Sequence, residues 1–132
     1  MSGAGTALQS AAAAALRAIE GLGVYEGPPV QAAAPYAVVE AGPEIDWSHK
    51  SGIGRELRLA VTFHERGERP ARLHALMEEG EAALAGLSPA LGGWQLVTFR
   101  FLRSRVAPPT AGTPSGLWTG LIEYRARMLA DG

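Results

Sequence analysis

Hydrophobic and polar positions change rhythm between Gly54 and Leu87, and that change predicts how the chain folds. Leu57, Leu59, Val61 and Phe63 alternate with Glu56, Arg58, Ala60 and Thr62, the period of two expected of a strand with one dry face. From Leu73 onward the period lengthens. Leu73, Leu76, Met77, Gly80, Ala83, Leu84 and Leu87 recur at the three-four spacing of an amphipathic helix. Pro70 suits the first turn of that helix, where its missing amide proton would have had no partner. A strand with one apolar face followed at once by a helix with one apolar stripe predicts a helix laid on a sheet.

The flanking segments extend this plan. Thr6 and Gln9 have capping-box spacing, which predicts a helix from Thr6 with Leu8, Ala12, Ala15, Leu16 and Ile19 on one face. Gly21 and Gly23 bracket its stop. Val24 to Glu26 predicts a short strand before the break at Gly27, Pro28 and Pro29. Pro35 to Ala41 predicts another, with Tyr36, Val38 and Glu40 on one side and Ala37, Val39 and Ala41 on the other. Residues 42–54 are rich in turn formers and predict a long loop or a flexible hairpin tip.

The last third predicts a long antiparallel hairpin. Val97, Phe99 and Phe101 alternate, as do Trp118, Gly120, Ile122 and Tyr124. Setting residue 101 opposite 120 places 99 against 122 and 97 against 124, an aromatic and branched face with Gly120 leaving room for Phe101. On the reverse face Arg100 then lies near Leu121 and Glu123, where its charge is balanced locally. The connection from Val106 to Gly116 holds Pro108, Pro109 and Pro114, which excludes a two-residue turn. The order α-β-β-β-α-β-β predicts an α+β fold: a mainly antiparallel sheet with two helices packed on one face, in a single domain over residues 1–132.

Composition narrows the function more than the fold. At 47% hydrophobic and 19% charged, the chain has the balance of an ordinary folded domain. A net charge of −1 supplies no basic field to hold nucleic acid. Eleven of the twelve basic residues are arginine, and with many Ala and Gly this suggests a GC-rich coding genome. Without cysteine there are no disulfides and no thiolate chemistry, as suits assembly in a reducing cytoplasm. The apolar run from Ala11 to Leu16 is too short to span a membrane and lacks the basic start of an export signal.

The search for reactive groups returns no enzyme signature and no cofactor or metal motif. His49, His64 and His74 lack the spacing of a zinc site. Glu78, Glu79 and Glu81 fall opposite the apolar stripe of the second helix and read as a solvated face rather than an acid–base pair. Ser48, Ser51 and Ser115 have no nucleophile-elbow context, and Gly52 and Gly54 precede a strand instead of the helix a phosphate loop needs. The chain therefore reads as a scaffold whose work is contact. Candidate contact residues are Asp46, Trp47, Lys50, Arg103, Arg105 and Trp118. Arg103 can stack on Trp118 across the hairpin as a cation–π pair. Trp47, between Asp46 and Ser48, is either tucked back as a loop anchor or left outward as an interface hot spot.

These words in this order resemble a family. Val24-Tyr25-Glu26-Gly27-Pro28-Pro29, Pro35-Tyr36-Ala37-Val38-Val39, Asp46-Trp47-Ser48 and the strand from Arg55 to Phe63 resemble the small bacteriophage tail completion or tail terminator proteins. The similarity runs through the second helix and the terminal hairpin. An Ala- and Arg-rich member also looks like those of gene transfer agents, the phage-like particles of some alphaproteobacteria. The resemblance implies a structural, non-catalytic protein of the virion or phage-like particle, assembled in the bacterial cytoplasm. It implies a homo-oligomeric ring, usually of six copies, that caps the tail tube protein and joins it to the head–tail connector or stopper protein. DNA passes through the lumen without specific binding, and no membrane is involved. The loops 42–54 and 106–116 are the segments expected to order on contact. A stopper ring elsewhere in the neck, and a small enzyme or ligand-binding α+β domain, are the alternatives.

Overall fold

The computed structural model describes residues 3–67, 69–110 and 116–131. Its elements are α1 (Ala4–Leu16), β1 (Gly23–Glu26), β2 (Tyr36–Asp46), β3 (Gly54–Glu65), α2 (Ala71–Ala85), β4 (Ala90–Leu91), β5 (Trp94–Ala107) and β6 (Trp118–Ala130). They build one six-stranded sheet in the order β1-β2-β3-β6-β5-β4. β1 runs parallel to β2, and every other pairing is antiparallel. The expected α+β architecture and element order are present, with the two-residue β4 added ahead of the hairpin.

Both helices cover the same side of the sheet. The alternating residues Leu57, Leu59, Val61 and Phe63 of β3 and Ile122, Ala126 and Met128 of β6 are almost fully buried beneath them. α1 contributes Leu8, Ala12 and Leu16, and α2 contributes Leu73, Leu76, Met77 and Leu84. Two glycines let α2 approach this surface. A Cβ at Gly80 would lie 2.6 Å from Phe63 Cζ, and one at Gly120 would run into Met77 Sδ. Gly120 thus makes room for the helix above it, whereas the sequence reading gave that space to Phe101.

The hairpin register also differs from expectation. Phe101 pairs with Tyr124 and Phe99 with Ala126, a four-residue displacement from the predicted pairing, while Val106 pairs with Gly120, a displacement of five. The even displacement keeps Phe99, Arg100 and Phe101 on their predicted faces, so periodicity alone does not separate the two registers there. The irregularity between Phe101 and Arg103 adds one residue and turns Arg103 and Arg105 to the face of Arg100; another lies between Leu96 and Thr98. Phe99 stacks on Tyr124 at 4.5 Å, and Phe101 meets the same ring edge-on at 5.6 Å. Phe101 nevertheless remains 43% exposed, because the helices pack over β1, β2, β3 and β6 and leave most of β5 uncovered.

Two further expectations are corrected. α1 begins at Ala4 behind Gly3 with no side-chain cap, and Gln9 Oε1 instead accepts the amide of Ala41 at 3.0 Å. The competing tertiary donor, the Ala41 amide, outweighs the local capping box. Of the long loop and the hairpin tip expected over residues 42–54, the structure has the hairpin tip, shorter than expected: β2 continues to Asp46 and β3 starts at Gly54, with His49 and Gly52 paired between them. β5 likewise extends to Ala107, which shortens the expected connection, and residues 111–115 of that connection lie outside the described residues.

Candidate assembly surface

Among the described residues no helix covers the other side of the sheet, so the alternate residues of β3, β5 and β6 there are half-buried or exposed, with Val38 of β2 the buried exception in the described part of that face. Pairing in the two central ladders sets Arg58 of β3 opposite Arg125 of β6, and Arg125 opposite Arg100 of β5. Three guanidinium-bearing residues therefore stand abreast on neighbouring strands. Like charges directly opposite one another destabilise a sheet. Among the described residues none of the three has a carboxylate within ion-pair distance, and Arg125 Nε is buried without a hydrogen-bond partner. The local balance expected for Arg100 beside Glu123 is absent, because Glu123 pairs with Arg103 instead.

Around this row the charges are compensated. Arg127 Nε donates to Glu56 Oε1 at 2.8 Å, and Arg103 Nε lies 3.3 Å from Glu123 Oε1. Arg105 continues the basic line towards the end of β5, opposite Leu121. Leu121 and Leu129 lie half-buried on the same face of β6, so it is neither purely polar nor purely charged.

The tip between β2 and β3 folds back over this face. Asp46 Oδ1 accepts the Ser48 hydroxyl at 2.6 Å and lies 3.4 Å from Arg55 Nη1. Those donors, the Ser48 hydroxyl first, hold the Asp46 carboxyl below its ordinary range. Trp47 is half-buried, edge-on to His49 at 4.5 Å, with the Arg127 guanidinium 5.5 Å from its ring. These contacts are those of the anchor reading, and part of the ring stays open to solvent. Lys50 occupies the exposed tip.

Trp118 is not with Arg103. Its indole Nε1 donates to the Gly67 carbonyl at 3.0 Å, and its strand position pairs with Glu65 while Arg103 pairs with Glu123. The cation–π contact expected across the hairpin is absent because the two residues point to opposite faces of the sheet. The six candidates thus separate into groups. Asp46, Trp47 and Lys50 share one hairpin tip, Arg103 and Arg105 lie on β5, and Trp118 belongs to the helix side.

Sequence reading missed the arginine row, which depends on register, and the buried Glu65. Only 4% exposed, Glu65 accepts the Arg66 amide at 2.7 Å through Oε1. Its Oε2 lies 3.1 Å from Arg72 Nε, an ion pair without the alignment of a hydrogen bond. The signal was available: Glu65 continues the odd-numbered dry face of Leu57 to Phe63. His64, on the bare side, stacks on Tyr36 at 4.6 Å, and partial burial lowers its pKa.

Among the described residues no three His, Asp or Glu side chains gather where they could hold a metal. A hollow of about 360 Å³ beside α1 is lined by Thr6, Ala7, Ser10, Ala11, Ala90, Leu91 and Gly92, with no titratable side chain. No helix among the described residues is long and apolar enough to cross a membrane. Fold and surface together define an α+β contact module.

The sequence matches the family described as tail completion protein gp17 over residues 6–129. The chain belongs to that family, and is a structural protein of the phage tail type. Its fold is also similar to a chain in the virion of a native gene transfer agent particle. The TM-score is 0.72 at 26% identity, covering 95% of this chain and 96% of that one. No curated protein matches the sequence. The resemblance to tail completion proteins read from the short hydrophobic words is thereby borne out.

Proposed function

We propose that this chain is the tail terminator of a phage-like particle, a non-enzymatic ring protein that ends the tail tube and joins it to the head connector. The observation that carries this reading is the family match over nearly the whole chain, supported by likeness to a chain of a gene transfer agent virion. A tube grows by repeating one head-to-tail contact and has no intrinsic end. A protein that offers the tube one matching surface and presents a different surface beyond it stops that growth. Copies joined by a heterologous contact that closes on itself give the ring, with six copies expected from the family.

The candidate residues take distinct parts in this reading. Lys50 at the hairpin tip and Arg105 near the end of β5 protrude and contact neighbouring subunits or the next ring. Asp46 and Trp47 hold the tip in place, Arg103 is held by Glu123, and Trp118 ties the start of β6 to Gly67. A net charge of −1 suits a lumen through which DNA slides without being retained.

Electron microscopy of particles carrying a labelled copy tests the placement. Label at the head-proximal end of the tube, and unjoined tails when the gene is deleted, are the expected results. Label on the connector, away from the last tube ring, would assign the chain to a stopper instead. A Trp47→Ala, Arg103→Ala variant should fold yet fail to join tails to heads; normal yields of joined particles would reject those residue roles.

A further inference from the structure

We infer that the bare face of the sheet is a docking surface for the acidic outer face of α2 on a second copy of this chain. This rests on the reading of the chain as a ring-former and specifies the contact that makes the ring. Ionic groups without a counterpart are distributed unevenly over the molecule. Among the described residues, Arg58, Arg100, Arg105 and Arg125 lack ion-pair partners and lie on the face opposite the helices. Glu78 and Glu79 also lack them and stand exposed side by side on α2, across the body from the arginines, while Glu81 is half-buried towards Tyr124. One copy therefore presents a cationic surface on one side and an anionic surface on the other.

The exposed pair Glu78 and Glu79 meets a row of arginines that stand about 4.8 Å apart on adjacent strands. Within the monomer, Arg58, Arg125 and Arg100 repel one another and Arg125 Nε is left buried without a partner. An acidic helix laid across the row would relieve both costs. Because the two surfaces differ, the contact is head-to-tail, and a constant turn per step closes it into a ring.

DNA fits this face less well. A polyanion crossing it would meet the carboxylates of Glu40, Glu56 and Glu123 as well as the arginines. A short acidic helix needs to touch only the row.

The experiment uses the full chain, alone and on purified tails, with assembly read by mass photometry. Reversing Arg58→Glu and Arg100→Glu, both exposed positions, should cut the assembled fraction at least tenfold without lowering the melting temperature. Adding Glu78→Arg and Glu79→Arg to that variant should restore it to within about threefold. A folded variant that stays unassembled after the second reversal overturns the inference. The chain has no cysteine, which permits a direct contact test. Arg100→Cys with Glu78→Cys should give an oxidised ladder of oligomers. A ladder obtained only from Ile45→Cys with Val97→Cys would mean that copies meet through sheet edges, overturning this contact while the ring stands. Wild-type chain that never self-associates, alone or on tails, removes the ring reading and the inference with it. Loss of duplex DNA retention in the Arg58→Glu, Arg100→Glu variant, with assembly unchanged, would overturn the inference in favour of nucleic acid.

Discussion

Gly80 of α2 sits directly over the Phe63 ring of β3, so close that a single added methyl would fall 2.6 Å from Phe63 Cζ. Phe63 is fully buried, in a core whose packing leaves little room for a displaced ring. Helix propensity alone favours alanine over glycine by about 1 kcal/mol. Overpacking at such a site costs roughly 1–3 kcal/mol. Gly80→Ala is therefore expected to destabilise the fold by about 1–2 kcal/mol in denaturant titration. A rise in stability would show that α2 does not need this close approach.

Arg100 and Arg125 make the opposite case, since the monomer holds a repulsion that it could lose. Arg100→Glu places a carboxylate opposite Arg125 and beside the row that includes Arg58. Cross-strand charge pairs are worth about 0.2–1 kcal/mol. The single substitution is expected to raise the unfolding free energy by that amount, read as a higher unfolding midpoint. A lower midpoint would mean that Arg100 has stabilising contacts on the bare face.

Trp47 anchors the β2–β3 tip through Arg127 and His49. Trp47→Ala removes a cation–π contact of about 0.5–1 kcal/mol together with half-buried ring surface. The expected loss is about 1–2 kcal/mol of stability, with faster amide exchange at Ser48 and Gly54. Both amides are bound within the tip that the ring holds down. Unchanged exchange there would assign Trp47 to intermolecular contact alone.

Tyr124 supplies a pH dependence. Burial, reinforced by the nearby negative charge of Glu81, raises its phenol pKa from 10 to about 12. The folded state thus retains a proton that the unfolded chain gives up. Its contribution is complete below pH 10 and is lost as pH rises from 10 towards 12. Across that window the wild type should lose on the order of 2 kcal/mol more than Tyr124→Phe, measured by urea titration. Parallel pH profiles for the two proteins would contradict the assignment.

Much of this architecture could be read from periodicity. Leu57 to Phe63 and Leu73 to Leu84 announced the dry face of β3 and the stripe of α2, because burial on one side leaves a fixed repeat in sequence. Register left no such mark. Moving the hairpin by four residues preserves the faces of Phe99, Arg100 and Phe101, so the pairing of Arg100 with Arg125 was invisible until the strands were placed, and the extra residue after Phe101 that turns Arg103 over left no mark either. The site candidates suffered most from this. Arg103 and Trp118 looked like partners in the predicted register, whereas the true register and their opposite faces separate them. The Thr6 cap failed for a different reason: Gln9 found a distant strand amide, a competitor that local spacing does not reveal.

The outer margin of β5 has a bearing on unwanted association. From Leu96 to Ala107 its far side meets no strand among the described residues, and Val97 and Phe101 stand partly uncovered along it. A straight ribbon of that kind would invite another chain to add itself strand by strand. The register shifts on either side of Val97 and after Phe101, with Arg100, Arg103 and Arg105 set among them, spoil that template. Fibre-like growth along this border is thereby discouraged by the same irregularities that bend the strand.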